Sequence, residues 1–200
     1  YDELTKLPNR HLLKDRLEQA MATSSRSSRY GALMFMDLDN FKSLNDTHGH
    51  VAGDLLLQES ARRISSCVRE MDTVARFGGD EFVVVLGELD LDENASAIQV
   101  RSVAEKICSA LSAPYMLTIE HESQVDTRIE HHCTASIGVV MFIKHEASQN
   151  DILKWADTAM YTAKDAGRNQ IRFYDSSVGK VTRENSDIRS AVIQSDELIG

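Results

Sequence analysis

Arg76-Phe77-Gly78-Gly79-Asp80-Glu81-Phe82 is the stretch that decides how this chain is read. Two glycines and two carboxylates stand between an apolar approach, Thr73-Val74-Ala75, and an apolar exit, Phe82-Val83-Val84-Val85-Leu86. Two strand-like runs joined by a Gly-bearing turn predict a β-hairpin. Gly78 and Gly79 would let a phosphate come close to the backbone, and Asp80 and Glu81 offer oxygen ligands to a hard cation. Gly-Gly-Asp-Glu alone is equally a surface turn with two solvated acids. Arg76, Phe77 and Phe82 make the whole heptad more specific.

Upstream, residues 32–36 (Ala-Leu-Met-Phe-Met) form a continuous apolar run that predicts a buried central strand ending at Asp37. Asp37-Leu38-Asp39 beside a hairpin bearing Asp80 and Glu81 would gather up to four carboxylates. Uncompensated, they would raise one another's pKa. One or two Mg²⁺ ions relieve that repulsion and take phosphate oxygens as further ligands. Mn²⁺ accepts the same donors. Sites of this kind serve phosphoryl and nucleotidyl transfer.

Around these segments the sequence predicts a helix after Pro8-Asn9-Arg10, with Leu13, Leu17, Ala20 and Met21 on one face and an end at residues 24–28. A polar, glycine-containing stretch is expected over residues 39–54, then a long helix burying Leu57, Ala61, Ile64 and Val68. Asn94 is a candidate cap for a helix with Ala97, Val100, Ala104, Ile107 and Leu111 inside. Residues after Pro114 carry little pattern, residues 134–142 read as a second central strand, and a last helix (Ile152, Ala156, Ala159, Met160, Ala163) stops at Gly167. Ile171-Arg172-Phe173-Tyr174 suggests an edge strand. The order fits an α/β fold with a central mixed or antiparallel sheet flanked by helices, without regular βαβ alternation.

The 200 residues, 42% hydrophobic and 26% charged, suit one globular domain. The expected division is a domain over residues 1–175 and a linker or helix over 176–200. The start, Tyr1-Asp2-Glu3, has no initiator Met and reads as a piece of a longer protein. A net charge of -9 argues against a nucleic-acid surface. No apolar run approaches the roughly 18 residues of a membrane helix. Cys67, Cys108 and Cys133 lack CxxC spacing and read as reduced thiols. No P-loop is present, and neither His48/His50 nor His131-His132-Cys133 has the partners of a zinc site.

The heptad resembles the signature of the GGDEF family, the diguanylate cyclases, and the likeness runs from about residue 2 to residue 174. Asp2-Glu3-Leu4-Thr5 with Leu7-Pro8-Asn9-Arg10 is similar to the family's opening motif, with Lys6 where Gly is commoner. Asp37-Leu38-Asp39-Asn40-Phe41-Lys42-Ser43-Leu44-Asn45-Asp46 and Gly49-His50-Val51-Ala52-Gly53-Asp54 resemble its metal and nucleotide segment. Ser136-Ile137-Gly138-Val139 and Tyr161-Thr162-Ala163-Lys164-Asp165-Ala166-Gly167-Arg168-Asn169 resemble its later strand and closing helix.

The resemblance implies a palm-like nucleotidyl cyclase fold that joins two GTP molecules into cyclic di-GMP, each domain of a homodimer holding one GTP. Carried over by position, Asp37, the Leu38 carbonyl, Asp80 and Glu81 would hold the metal. Asp80 would also help deprotonate the ribose 3′-OH. Asn45 and Asp54 would read the guanine edge, His50 would line the pocket, and Gly78 and Gly79 would admit the phosphates. Lys42 would neutralise charge at phosphorus, while Lys164 and Arg168 would hold the phosphates. Tyr161, Lys164 and Arg168, at i, i+3 and i+7, would share one helix face. Arg69-Glu70-Met71-Asp72 matches an RxxD inhibitory site for the product, with Arg69 and Asp72 its fixed members. The resemblance also implies a cytoplasmic domain, in a full-length protein with sensory regions and either with or without a membrane anchor. The tail from Arg183 resembles the connector to an EAL phosphodiesterase. A GTP-binding domain that regulates such a phosphodiesterase, and a product sensor, are the alternatives.

Overall fold

The computed structural model describes residues 1–119, 126–144, 147–175 and 180–182. In chain order the first elements are α1 (Arg10–Ser27), β1 (Gly31–Asp39), α2 (Phe41–Cys67), β2 (Thr73–Gly78), β3 (Glu81–Leu86) and α3 (Glu93–Ser112). Then come β4 (Tyr115–Ile119), β5 (Thr127–His131), β6 (Thr134–Phe142), α4 (Gln149–Asp165), β7 (Ile171–Asp175) and β8 (Lys180–Thr182).

Every residue of β1 is buried, as its apolar run requires of a central strand. It pairs antiparallel with β3 on one side and β6 on the other. The sheet order is β2-β3-β1-β6-β7-β8, and only the β6–β7 pair is parallel, so the sheet is mixed. β4 and β5 form a separate two-stranded ribbon, which accounts for the weakly patterned region after Pro114.

Alternation along β1 sends Ala32, Met34, Met36 and Leu38 into a core shared with Leu56, Ile64 and Leu111 of α2 and α3. Leu33 and Phe35 face the other way, against Leu13 and Leu17 of α1 and Ile152 and Met160 of α4. Asp37 and Asp39 continue that second row and therefore emerge on the α4 side. Gly138 of β6 lets α4 come close, because a Cβ there would overlap the Ala156 carbonyl oxygen and the Met160 nitrogen.

Several predicted boundaries shift. The segment expected to be a polar stretch is helical from Phe41, with a break at Gly49 (φ 80°, ψ 170°) that only the residues after it continue as the long helix. Glycine takes that left-handed φ without a Cβ penalty, so the break falls there. Val68 is the residue after the helix end, and Cys67 is buried in its place. Asp92, rather than Asn94, caps α3 by accepting from Ala95 N at 2.8 Å, and Ser96 is buried where Ala97 was expected. β7 is not an edge, since β8 pairs with it. The expected linker or helix after residue 176 lies outside the described residues, except for β8.

Candidate functional site

Antiparallel register sets Asp37 of β1 directly opposite Glu81 of β3 on one side and Ser136 of β6 on the other. The hairpin turn then brings Asp80 to the same end, where its carbonyl accepts from Leu38 N at 3.3 Å. Gly79 adopts φ 52°, which suits the tight turn. Arg76 holds that turn: its Nε and Nη2 donate to the Gly79 carbonyl at 3.0 and 2.7 Å. The same guanidinium meets Asp2 at 3.2 Å, and Asp2 accepts from Thr5 N and Oγ1, each at 2.7 Å. Burial works to raise the Asp2 pKa, but the bonds from Thr5 and Arg76 outweigh it and hold the carboxyl below its ordinary range.

Lys164, near the end of α4, reaches across to Asp37, Nζ to Oδ2 at 2.6 Å. Even so, burial raises the Asp37 pKa, and the charges of Asp80 and Asp39 add to it against the pull of Lys164. Glu81 is raised too, by burial first and then by Asp37, Asp157 and Asp80. Both acids are therefore raised chiefly by burial, with their neighbours' like charges adding to it. Among the described residues, no three His, Cys, Asp or Glu side chains converge closely enough to hold an ion by themselves. The donors nonetheless suit Mg²⁺, which is commonly held by one or two carboxylates with substrate phosphates completing its shell.

Asp39 has a different fate from the one expected of a fourth cation-facing carboxylate. It is 3% exposed, and accepts from Thr134 Oγ1 at 2.6 Å, Ser136 Oγ at 2.7 Å and Asn169 N at 3.0 Å. It ties β1 to β6 and to the turn after α4. The i, i+2 spacing of Thr134 and Ser136 on a strand antiparallel to one carrying Asp37 and Asp39 was the available signal. That turn places Arg168 and Asn169 at φ 64° and 46°. Arg168 thus lies beyond α4, and the expected single helix face of Tyr161, Lys164 and Arg168 does not form: Tyr161 is exposed and Lys164 turns to Asp37.

The expected nucleotide residues flank the α2 break. Asn45 lies before it, with a buried Oδ1 that has no hydrogen bond among the described residues, while His50 and Asp54 are exposed just after it and Lys42 is exposed on the first turns. Close by, burial and the neighbouring His48 and His132 lower the pKa of His131. At the other end of the hairpin, Arg69 N donates to Asp72 Oδ2 at 2.9 Å, closing a tight turn beside a cavity of about 340 Å³. Arg16 of α1 lines the same cavity, a cation that the motif spacing could not reveal.

A lysine and paired carboxylates at the exit of a central strand define a site suited to a polyphosphate and its cation. Residues 1–170 match the family model described as "Diguanylate cyclase, GGDEF domain". The chain belongs to the GGDEF family. It is 42% identical over 196 residues to the bifunctional diguanylate cyclase/cyclic di-GMP phosphodiesterase MucR of Pseudomonas aeruginosa, covering 96% of this chain and 26% of MucR. Diguanylate cyclase TpbB of the same organism is 36% identical, over 96% of this chain and 41% of that protein. The chain therefore spans well under half the length of these curated relatives. The crystal structure of the TpbB GGDEF domain superposes with a TM-score of 0.74 at 34% identity, covering 86% of this chain and 98% of that one. The coiled coil and GGDEF domain of DgcB from Caulobacter crescentus, solved with c-di-GMP, gives 0.73 at 29% identity, over 86% and 84%.

Proposed function

We propose that this domain is a diguanylate cyclase that condenses two GTP into cyclic di-GMP. The observation that supports it most is the intact acidic end of β1 and β3: Asp37 faces Glu81, Asp80 stands at the turn, and Lys164 is ion-paired to Asp37. In this reading the 3′-oxygen of one GTP attacks the α-phosphorus of the other. The new P–O bond forms as the bond to the β-phosphate breaks and pyrophosphate leaves, with a second such step closing the ring. Asp80 takes the 3′-OH proton as general base. Lys42, Lys164 and Arg168 balance phosphate charge, and Asn45, His50 and Asp54 form the base pocket. A divalent cation, when bound by Asp37, the Leu38 carbonyl, Asp80 and Glu81, supplies Lewis-acid stabilisation of phosphate oxygens.

Each domain presents one such site, so turnover requires two domains face to face. Product feedback through Arg69 and Asp72 completes the proposal, supported by the bidentate capacity of Arg for phosphate or guanine and by the adjoining cavity with Arg16. The residue range 1–175 is proposed as the domain. In a longer parent, a GTP-binding regulatory role toward an attached phosphodiesterase is the second reading, favoured by the bifunctional name of MucR. Turnover by the wild-type domain decides between them, with Asp80→Ala as the control. The cyclase reading predicts cyclic di-GMP from the wild-type domain and none from the variant. A wild-type domain that binds GTP and stays silent, even when fused to a dimerising coil, supports the regulator.

A further inference from the structure

Gly53 sits inside the second segment of α2, fully buried, and its φ is not in the left-handed region. The backbone there does not call for glycine, which is a poorer helix former than alanine. The reason lies in its surroundings. A Cβ at this position would overlap Oδ1 of Asn45, approach Asn45 Cγ to 2.9 Å and approach Phe41 Cζ to 3.1 Å. Asn45 belongs to the other segment of α2, before the break at Gly49, so the two meet across the bend.

The Asn45 Oδ1 atom is buried and has no hydrogen-bond partner among the described residues. With no such bond to hold Oδ1, packing onto the bare Gly53 backbone seats the amide. One end of the amide is turned onto Gly53, which leaves its other end for a ligand. Used as an N–H donor, that end complements the exposed carboxylate of Asp54, the next residue along from Gly53. A donor and a carboxylate acceptor together suit a purine edge that carries both a carbonyl and N–H groups, the edge of guanine.

We infer that Gly53 is a specificity-determining residue: its missing side chain is the seat of the Asn45 amide, and the guanine preference of the pocket depends on it. This rests on the assignment of Asn45 to the base pocket. Gly53→Ala pushes the amide off its seat while leaving the phosphate-facing residues in place. It therefore weakens guanine nucleotides selectively.

The test is a double-mutant cycle read by calorimetric binding of 3′-deoxy-GTP and 3′-deoxy-ATP with Mg²⁺, analogues that cannot condense. Gly53→Ala is expected to weaken 3′-deoxy-GTP about tenfold, the loss of one hydrogen bond, and to leave 3′-deoxy-ATP within about twofold. Asn45→Ala should match it, and adding Gly53→Ala to Asn45→Ala should change nothing further. A Gly53→Ala protein that binds both analogues as wild type does, or loses both equally, overturns the inference. So does a second full loss when it is added to Asn45→Ala. If Asn45→Ala alone leaves 3′-deoxy-GTP binding intact, the base-pocket assignment falls and the inference with it. Should Gly53→Ala fail to fold, the Asn45→Ala/Gly53→Ala protein decides: restored folding supports the seat, and failure to restore it overturns it.

Discussion

Replacing Asp39 by alanine should cost this domain a large part of its stability. The carboxylate is almost fully buried and accepts three hydrogen bonds, from Thr134 Oγ1, Ser136 Oγ and Asn169 N. Bonds to a charged group contribute about 1.5–3 kcal/mol each, and buried donors left without a partner add their own desolvation cost. The sum is an upper bound, because the two hydroxyls can rotate toward backbone carbonyls and water can enter the space. Removing the charge also relieves Asp37, whose ionisation Asp39 opposes. A net loss of about 3–5 kcal/mol is the expectation, against the roughly 5–15 kcal/mol that a native domain holds. Asp39→Asn keeps one acceptor and should lose about half as much. Urea unfolding followed by circular dichroism would read this as a midpoint lowered by about 2 M for a slope near 2 kcal/mol/M. A loss below about 1 kcal/mol in Asp39→Ala would refute the idea that this carboxylate ties β1, β6 and the α4–β7 turn together.

Glu81→Gln should stabilise the divalent-free protein near neutral pH by about 0.5 kcal/mol, after allowance for solvent screening. The folded pKa of Glu81 lies above its ordinary 4.5, so the native state holds more protons in that window and its stability falls as pH rises through it. The advantage of the variant should therefore vanish at or below about pH 4.5 in thermal melts; an unchanged difference there would contradict it. Arg63→Ala should cost about 2–3 kcal/mol in chemical denaturation. Its guanidinium bonds the Ala110, Ala113 and Pro114 carbonyls at 2.9, 2.6 and 2.7 Å and lies 3.7 Å from the centroid of Tyr115. Arg69→Ala should raise the cyclic di-GMP concentration needed for half-inhibition at least tenfold and leave the initial rate intact; unchanged inhibition would remove the feedback proposal.

Periodicity made the sheet and its two helical layers legible, because β1 and β6 are long apolar runs and α1, α3 and α4 carry apolar stripes, broken only by the buried Ser24 and Ser96. The first turns of α2 were not legible, since Lys42, Ser43, Asn45, Asp46 and Thr47 are turn-like in composition, and Leu44 is the one buried residue there, with Phe41 packed in part against the core. Likewise, the sequence places Asp37 and Asp39 two residues apart on one face but says nothing of which meets a lysine and which meets hydroxyls. That division is set by the β1–β6 register and by how closely α4 lies on Gly138. The Arg76–Asp2 pair and the Arg16 side chain come from distant segments, and no spacing rule joins them.

The most direct test of the cyclase reading is the product itself. The purified domain, fused to a dimerising coil and supplied with GTP and Mg²⁺, should yield cyclic di-GMP by mass, with two pyrophosphates released for each product and none of either from Asp80→Ala. GTP that is bound but returned unchanged, at any domain concentration and with the dimer verified, would contradict it.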